Sequence, residues 1–375
     1  MNSSVLTSLI EIEGKSFTLE TFPVAGKNRL FSSVHLAGRV ISQKEEELPE
    51  GLNEEGFKSR LQDVHRNRSV ELEALFRLCR KIEERPTAVA CWKIGVIFLA
   101  NGFYEDARQK FLKAVELAPD HIQAFKNYGI TLMLMEDYDA SIAILNRARE
   151  LGPTFADIYY HLGNAYLFKR KLDEAVQCYL QALQINPRYA DARLRLATAC
   201  VGYLNQTGEP LNDLKTNELV ERARSESETA ATLNPKLRNR PFLMAQDYLR
   251  SRKFLLAFQN FLEVRPRYVP RIGDEIHFFF NLTLFYGSEG IDLQMTEQYI
   301  EKLSKVIAEY PQYADLRHHL GLAYLIKSRF DSSRALKEFK KALEINPHFQ
   351  QAVLNAGECE ELHKKILMIL KKNLP

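Results

Sequence analysis

Cysteine is sparse in this chain, and its pattern is uninformative for pairing. Cys79, Cys91, Cys178, Cys200 and Cys359 are odd in number, scattered, and include no C-x-x-C pair. A disulfide framework and the usual thiolate zinc spacings are therefore excluded, and the cysteines read as reduced residues, Cys91 and Cys178 on apolar helix faces, which points to a cytoplasmic protein. No stretch reaches the roughly 18 consecutive apolar residues of a membrane-spanning helix, so no transmembrane segment is expected. Residues 1–10 have neither a basic start nor a long apolar core, and a secretory signal is not expected either. Net charge is only +3, with 46% hydrophobic and 26% charged residues, an ordinary composition with no chain-wide pull toward polyanions.

Catalytic signatures are also missing. Gly14-Lys15-Ser16 imitates the end of a phosphate-binding loop, but the glycine required five residues earlier is Leu9, and strand-like residues follow. His318 and His319 are adjacent and point about 100° apart on a helix, so they cannot serve one metal. Glu358, Glu360, Glu361 and His363 match no metal spacing and read as a solvated helix face. No nucleophile elbow or paired Cys and His motif is present. The expectation is a non-enzyme with no cofactor and no metal.

What is present is a period. Gly95, Gly129 and Gly163 stand 34 residues apart. Ala107, Ser141 and Ala175 follow in register, then Phe111, Leu145 and Tyr179, then Ala114, Ala148 and Ala182, then Pro119, Pro153 and Pro187. Within one unit Cys91, Ile94, Gly95 and Phe98 fall three or four apart and form one helical face. Asn101, Gly102 and Asp106 supply a turn, and Ala107, Phe111, Ala114 and Val115 form a second helical face. Glycine and alanine sit where helix axes approach closely, and proline stops the second helix. One pair cannot bury its apolar face alone, so such pairs must stack.

This pattern resembles the tetratricopeptide repeat, a helix pair of 34 residues. The resemblance implies an all-α superhelical solenoid over 86–375, about seven helix pairs with closing helices at 350–372. Less regular copies follow the three clear ones: a fourth interrupted by a polar insertion near 204–218, a fifth with Ala245, Tyr248, Ala257 and Phe261, a degenerate sixth, and a seventh with Gly321, Ala335, Phe339, Ala342 and Pro347.

Residues before Pro86 do not fit the repeat. Short β-branched and aromatic runs at Leu9 to Ile12, Phe17 to Phe22, Arg29 to Leu36 and Arg39 to Lys44 predict an antiparallel meander within 1–50. A helical connector at 51–85, with Phe57, Leu61, Leu72, Leu75, Phe76 and Leu78 on apolar stripes, is the nearest surface for it to pack on. Together they make a small α+β module.

The resemblance further implies a scaffold or adaptor whose concave groove, lined by the first helix of each pair, takes a peptide or an amphipathic helix. Counting from each glycine, Trp92, Lys126 and Tyr160 share one offset, Ile130 and Asn164 another, and Phe168 a third. Repeats that clamp the carboxylate tails of chaperones carry Lys and Asn, then Asn, then Lys and Arg on successive first helices. Here Lys126 and Arg195 match, whereas Ile130, His161 and Asp191 do not, and Asp191 would repel a carboxylate. A hydrophobic peptide, or the N-terminal segment of this chain, fits better.

Between Lys236 and Gly273 nine basic residues face two acids, a local net of +7 that leaves −4 for the rest of the chain. Lys236, Arg238, Arg240, Arg265, Arg267 and Arg271 lie in loops on one edge, where an acidic protein surface is the first-choice partner and an RNA backbone the alternative. The acidic run Glu45, Glu46, Glu47, Glu50, Glu54 and Glu55 is a candidate contact for that edge.

Overall fold

The computed structural model describes residues 5–12, 14–24, 28–49, 51–206, 213–264 and 293–309, most of 316–328, residues 350–373, and a few isolated positions between 278 and 340. The chain divides into two compact units, one formed by Met1–Phe103 with Pro270–Pro375 and the other by Tyr104–Val269.

In the first unit, β1 (Leu6–Ile12), β2 (Lys15–Pro23), β3 (Arg29–Leu36) and β4 (Arg39–Glu47) form an antiparallel sheet in that order. Alternation sends Ile10, Ile12, Phe17, Leu19, Leu30 and Val34 into the core. Gly14-Lys15-Ser16 is thus a hairpin turn and the start of a strand, with Ile12 opposite Lys15, and not a phosphate loop. Segment 51–85, expected as a connector, is the element that covers the sheet. There α1 (Glu54–Glu84) starts at Asn53, whose side chain accepts from the Gly56 amide, and buries Leu61, Leu72, Leu75, Phe76 and Leu78. His65 on α1 ties two strands to the helix: its Nε2 lies 3.0 Å from Ser8 Oγ and its Nδ1 3.0 Å from Thr21 Oγ1.

Helix α2 (Ala88–Ala100), which follows the expected boundary at Pro86, belongs to the same compact unit as the sheet. Phe17 of β2, Phe76 of α1, Phe98 of α2 and Phe103 form one aromatic cluster, with Phe76 between 5.3 and 5.5 Å from the other three. Gly102 sits at φ +81°, and a Cβ there would lie 2.1 Å from the Ile41 carbonyl oxygen of β4, so the turn after α2 presses directly on the sheet. Buried Arg68 donates to Ser42 Oγ at 2.8 Å and to Asn101 Oδ1 at 3.1 Å, joining strand, helix and turn. Beside it, burial alone would raise the Glu71 carboxyl, but Lys44, Lys302 and Arg68 hold it down at about 2. Lys302 belongs to the helix Leu293–Glu309, whose Tyr299, Leu303 and Ile307 share a core with Leu316, Leu322, Ile326 and Ile366. Ile366 comes from Gln350–Asn373, one helix of 24 residues at the position of the closing helices.

The second unit is a stack of helices: α3 (Tyr104–Leu117), α4 (Ile122–Leu134), α5 (Tyr138–Leu151), α6 (Ala156–Phe168), α7 (Leu172–Ile185), α8 (Ala190–Gln206), α9 (Asp213–Leu233), α10 (Arg240–Arg250) and α11 (Phe254–Glu263). From α3 to α9 each helix packs on the next. Helices α3, α5 and α7 each end two residues before Pro119, Pro153 or Pro187, as the restriction on the residue preceding proline requires. The large column residue packs on the glycine of its own pair and shares a core with the next one: a Cβ on Gly129 would lie 2.5 Å from Leu145 Cγ, and one on Gly163 2.6 Å from Tyr179 Cε1, while Leu145 clusters with Leu162 and Ala165 of α6. Ser141 replaces alanine in the buried column because its hydroxyl donates to the Gly129 carbonyl at 2.7 Å.

The fourth pair departs from the rule. Its α8 and α9 run to 17 and 21 residues, so the insertion lengthens both helices, while 207–212, with Gly208 and Pro210, lie outside the described residues. Helix α11 returns to pack on α8, with Phe258 against Gly202. Most of the sixth and seventh copies, including Ala335, Phe339, Ala342 and Pro347, also lie outside the described residues.

Two outcomes are expected. Gly163→Ala forces the new methyl against the fully buried Tyr179 ring and lowers stability by about 1–3 kcal/mol in chemical denaturation. His65, lowered below 6.5 by burial, contributes stability that is complete above its unfolded value and is lost as the pH falls through its folded one. The difference in melting temperature between pH 7 and pH 5 should therefore shrink in His65→Gln.

Candidate functional site

In the second unit the first helices α4, α6 and α8 lie side by side, and a polar cluster interrupts their apolar surface. Lys126 of α4 reaches Asp157 in the first turn of α6, with Nζ to Oδ2 at 2.7 Å. Burial pushes the Asp157 carboxyl up, but the Lys126 ammonium overrides it and the net direction is down. His161, one turn further along α6, is driven down to about 3 by burial and by Lys126, so it is neutral at physiological pH. Tyr160 leads toward α8: its ring centroid is 5.1 Å from Tyr189, just ahead of α8, and 5.0 Å from His161. On α8 itself, Asp191 and Arg195 are four residues apart, on one face.

The positions named from sequence divide sharply in this geometry. Lys126 is at the cluster, and Tyr160 is only 6% exposed, forming the wall of the cluster rather than an open platform. Ile130 is fully buried and lines no surface, because its offset from Gly129 turns it into the core. Asn164 is 6% exposed, and its Oδ1 accepts from Tyr179 OH at 2.8 Å, which uses the amide to satisfy a buried phenol. Arg195 is 4% exposed, with Nη1 and Nη2 each donating at 3.4 Å to the carbonyls of Phe261 and Val264 at the end of α11. Phe168 stacks on Tyr138 at 6.0 Å, on an exposed part of the surface. Trp92 belongs to the first unit, where Phe278 lies 5.0 Å from its ring and beneath the Lys93 ammonium at 5.7 Å. The Trp92 face is therefore covered by this chain itself.

Asp157 and Tyr189 were missed by counting from the glycines, because they sit in the first turn of α6 and ahead of α8. The three-residue offset back from each glycine never reaches these entry turns. The available signal was the run Tyr189-Ala190-Asp191, an aromatic and an acid at a helix start.

The basic edge is less concentrated than its composition. Lys236 lies in a single turn, Pro235–Leu237, and Arg240 opens α10. Arg238 is bonded to Glu228 at 2.7 Å, Arg250 to Asp247 at 3.2 Å, and Arg252 to Asn217 Oδ1 at 2.7 Å. Arg265, Arg267 and Arg271 lie outside the described residues. The acidic run also has local partners: Glu45 and Glu47 hold Arg29, Glu46 holds Arg60, and Glu54 holds Lys58. Among the described residues no group of three or more His, Cys, Asp or Glu is placed to hold a metal, and no helix is long and apolar enough to cross a membrane.

A stack of helix pairs with small residues at the crossings and a polar, aromatic-walled face on its first helices defines a helical-repeat protein. Residues 93–156 and 156–189 each match a tetratricopeptide repeat family, so this part of the chain is built of tetratricopeptide repeats. Solved structures similar to it include a MamA from Desulfovibrio magneticus RS-1, 19% identical over 48% of this chain and 95% of that one, with a TM-score of 0.37. The first repeat domain of Spaghetti (RPAP3), bound to the HSP90 peptide SRMEEVD, is 20% identical over 30% of this chain and 89% of that one, with a TM-score of 0.30. YrrB, described as having an unusual peptide-binding site, is 19% identical over 65% and 95%, with a TM-score of 0.28. No curated protein matches the chain by sequence.

Removing the lysine tests the electrostatics. In Lys126→Met the Asp157 carboxyl, left with its burial and without its main counter-charge, should titrate at higher pH, read by carboxyl carbon NMR.

Proposed function

We propose that this protein is a non-catalytic scaffold that holds a peptide or helix of a partner protein against α4, α6 and α8. The observation that carries this reading is the polar cluster itself. Surfaces that serve only to pack helices are apolar and small, whereas here Lys126, Asp157, Tyr189 and Asp191 are placed half-buried, where water is partly excluded and hydrogen bonds to a ligand count most. Two cations, two acids and an uncharged histidine make the face electrically neutral, which suits a ligand segment of low charge better than a polyanion. A clamp for a carboxylate tail is disfavoured for the same reason, since Asp191 and Asp157 face the position of the anion. The second reading, RNA on the basic edge, draws support from composition only, because Arg238, Arg250 and Arg252 already hold partners.

The test uses substitutions that leave the core intact, because Tyr160 and Asn164 are structural. The intact chain and a Lys126→Ala, Tyr189→Ser variant are used as bait, with and without nuclease and at two salt concentrations. A protein retained by the intact chain and lost by at least about tenfold in the variant is expected, insensitive to nuclease. Equal retention by both forms overturns the groove reading, and capture that disappears with nuclease or high salt transfers the function to the basic edge.

A further inference from the structure

The sheet of the first unit has two edge strands, and they are built differently. β4 carries Arg39, Lys44, Glu45, Glu46 and Glu47 among its nine residues, and its pairing with β3 shifts register between Val34 and His35. Charge and broken register are two devices that keep an edge strand from accepting another strand. β1 lacks both: its seven residues run in unbroken register with β2 and hold one charge, Glu11. Among the described residues only β2 hydrogen-bonds to the backbone of β1. The hairpin fixes which groups are left over. Ile12 faces Lys15 across a two-residue turn, so these two exchange both main-chain bonds, and Ile10, Ser8 and Leu6 do the same with β2 at every second position. The N–H and C=O groups of Thr7, Leu9 and Glu11 therefore point away from the sheet. Because Ile10 and Ile12 enter the core, these same residues turn their side chains away from it, and Leu9 is 65% exposed. Val5, next in that alternation, is 50% exposed.

We infer that β1 is the contact between two copies of this chain, which pair antiparallel through these open groups about a two-fold axis near Ser8 and join their sheets into one. Self-complementarity selects a second copy over a foreign strand. About that axis Leu9 lies opposite Thr7 of the other copy, and Leu6 meets Ile10 on the side of the core. Glu11 lies opposite Val5, so the lone charge of the strand never meets itself. Each copy supplies the same open donors and acceptors, and one pairing satisfies both sets at once. The contact is isologous and consumes the edge that lacks charge, so assembly stops at two copies.

The test follows the full chain by sedimentation over a concentration series, beside Leu9→Lys, Leu9→Pro and, on the opposite edge, Gln43→Lys. Leu9 is exposed and its N–H takes no part in the pairing with β2, so both substitutions there spare the fold, which circular dichroism and thermal melting check. The intact chain and Gln43→Lys should form a dimer as concentration rises. Each Leu9 variant should raise the dissociation constant about tenfold or more, because the symmetry removes every lost hydrogen bond twice. Amide exchange reads the strand directly. In the concentrated intact chain Thr7 and Leu9 should exchange as slowly as Ser8 and Ile10, and dilution should release Thr7 and Leu9 alone. A monomer at every concentration, a dimer indifferent to both Leu9 substitutions, or growth beyond two copies overturns the pairing. A dimer lost in Gln43→Lys and kept in Leu9→Lys overturns it too, since the contact then belongs to β4.

Discussion

A helix of 13 or 14 residues with apolar surface on two sides cannot satisfy both against a single neighbour, and everything in the second unit follows from how that excess is covered. The solution is a small residue on one helix against a large one on the next: Gly129 against Leu145, Gly163 against Tyr179. Contact at 2.5 to 2.6 Å from a would-be Cβ leaves no tolerance, so the axes are fixed by the absence of a side chain. The remaining face of each helix is covered by the next pair, and the period of the sequence becomes the period of the structure.

The repeat was legible because this constraint is local. Glycine, alanine, aromatic and proline each occupy a position that a single helix pair demands, and the proline columns mark the helix ends to within two residues. The strands were legible for a similar reason, since alternation and a two-residue hairpin leave little choice. Long-range packing was not. Nothing in the period announces that Phe17, Phe76, Phe98 and Phe103 converge, because they come from a strand, a long helix, a repeat helix and a turn. The boundary placed at Pro86 followed the change in pattern, whereas the packing unit follows the aromatic cluster across it.

The candidate site shows the same division. Residue type and offset found Lys126, but they assigned Ile130, Asn164 and Tyr160 to a surface that their burial denies. An offset fixes direction around a helix and not depth, and depth depends on neighbouring helices whose tilt is set by packing. Asn164 is instructive: an amide in the right position for a ligand is instead consumed by the Tyr179 hydroxyl, a debt created by placing a tyrosine where another pair has leucine. Lys126 keeps its polar role because Asp157 lies one pair away and holds it near the surface.

The union of the sheet, α1 and α2 also gives the molecule a direction. The turn after α2 is pressed against Ile41, and α2 shares its aromatic core with β2 and α1, so no further helix pair can be inserted ahead of it without unseating the sheet. The strands and α1 thus occupy the face of α2 that a preceding helix pair would otherwise cover.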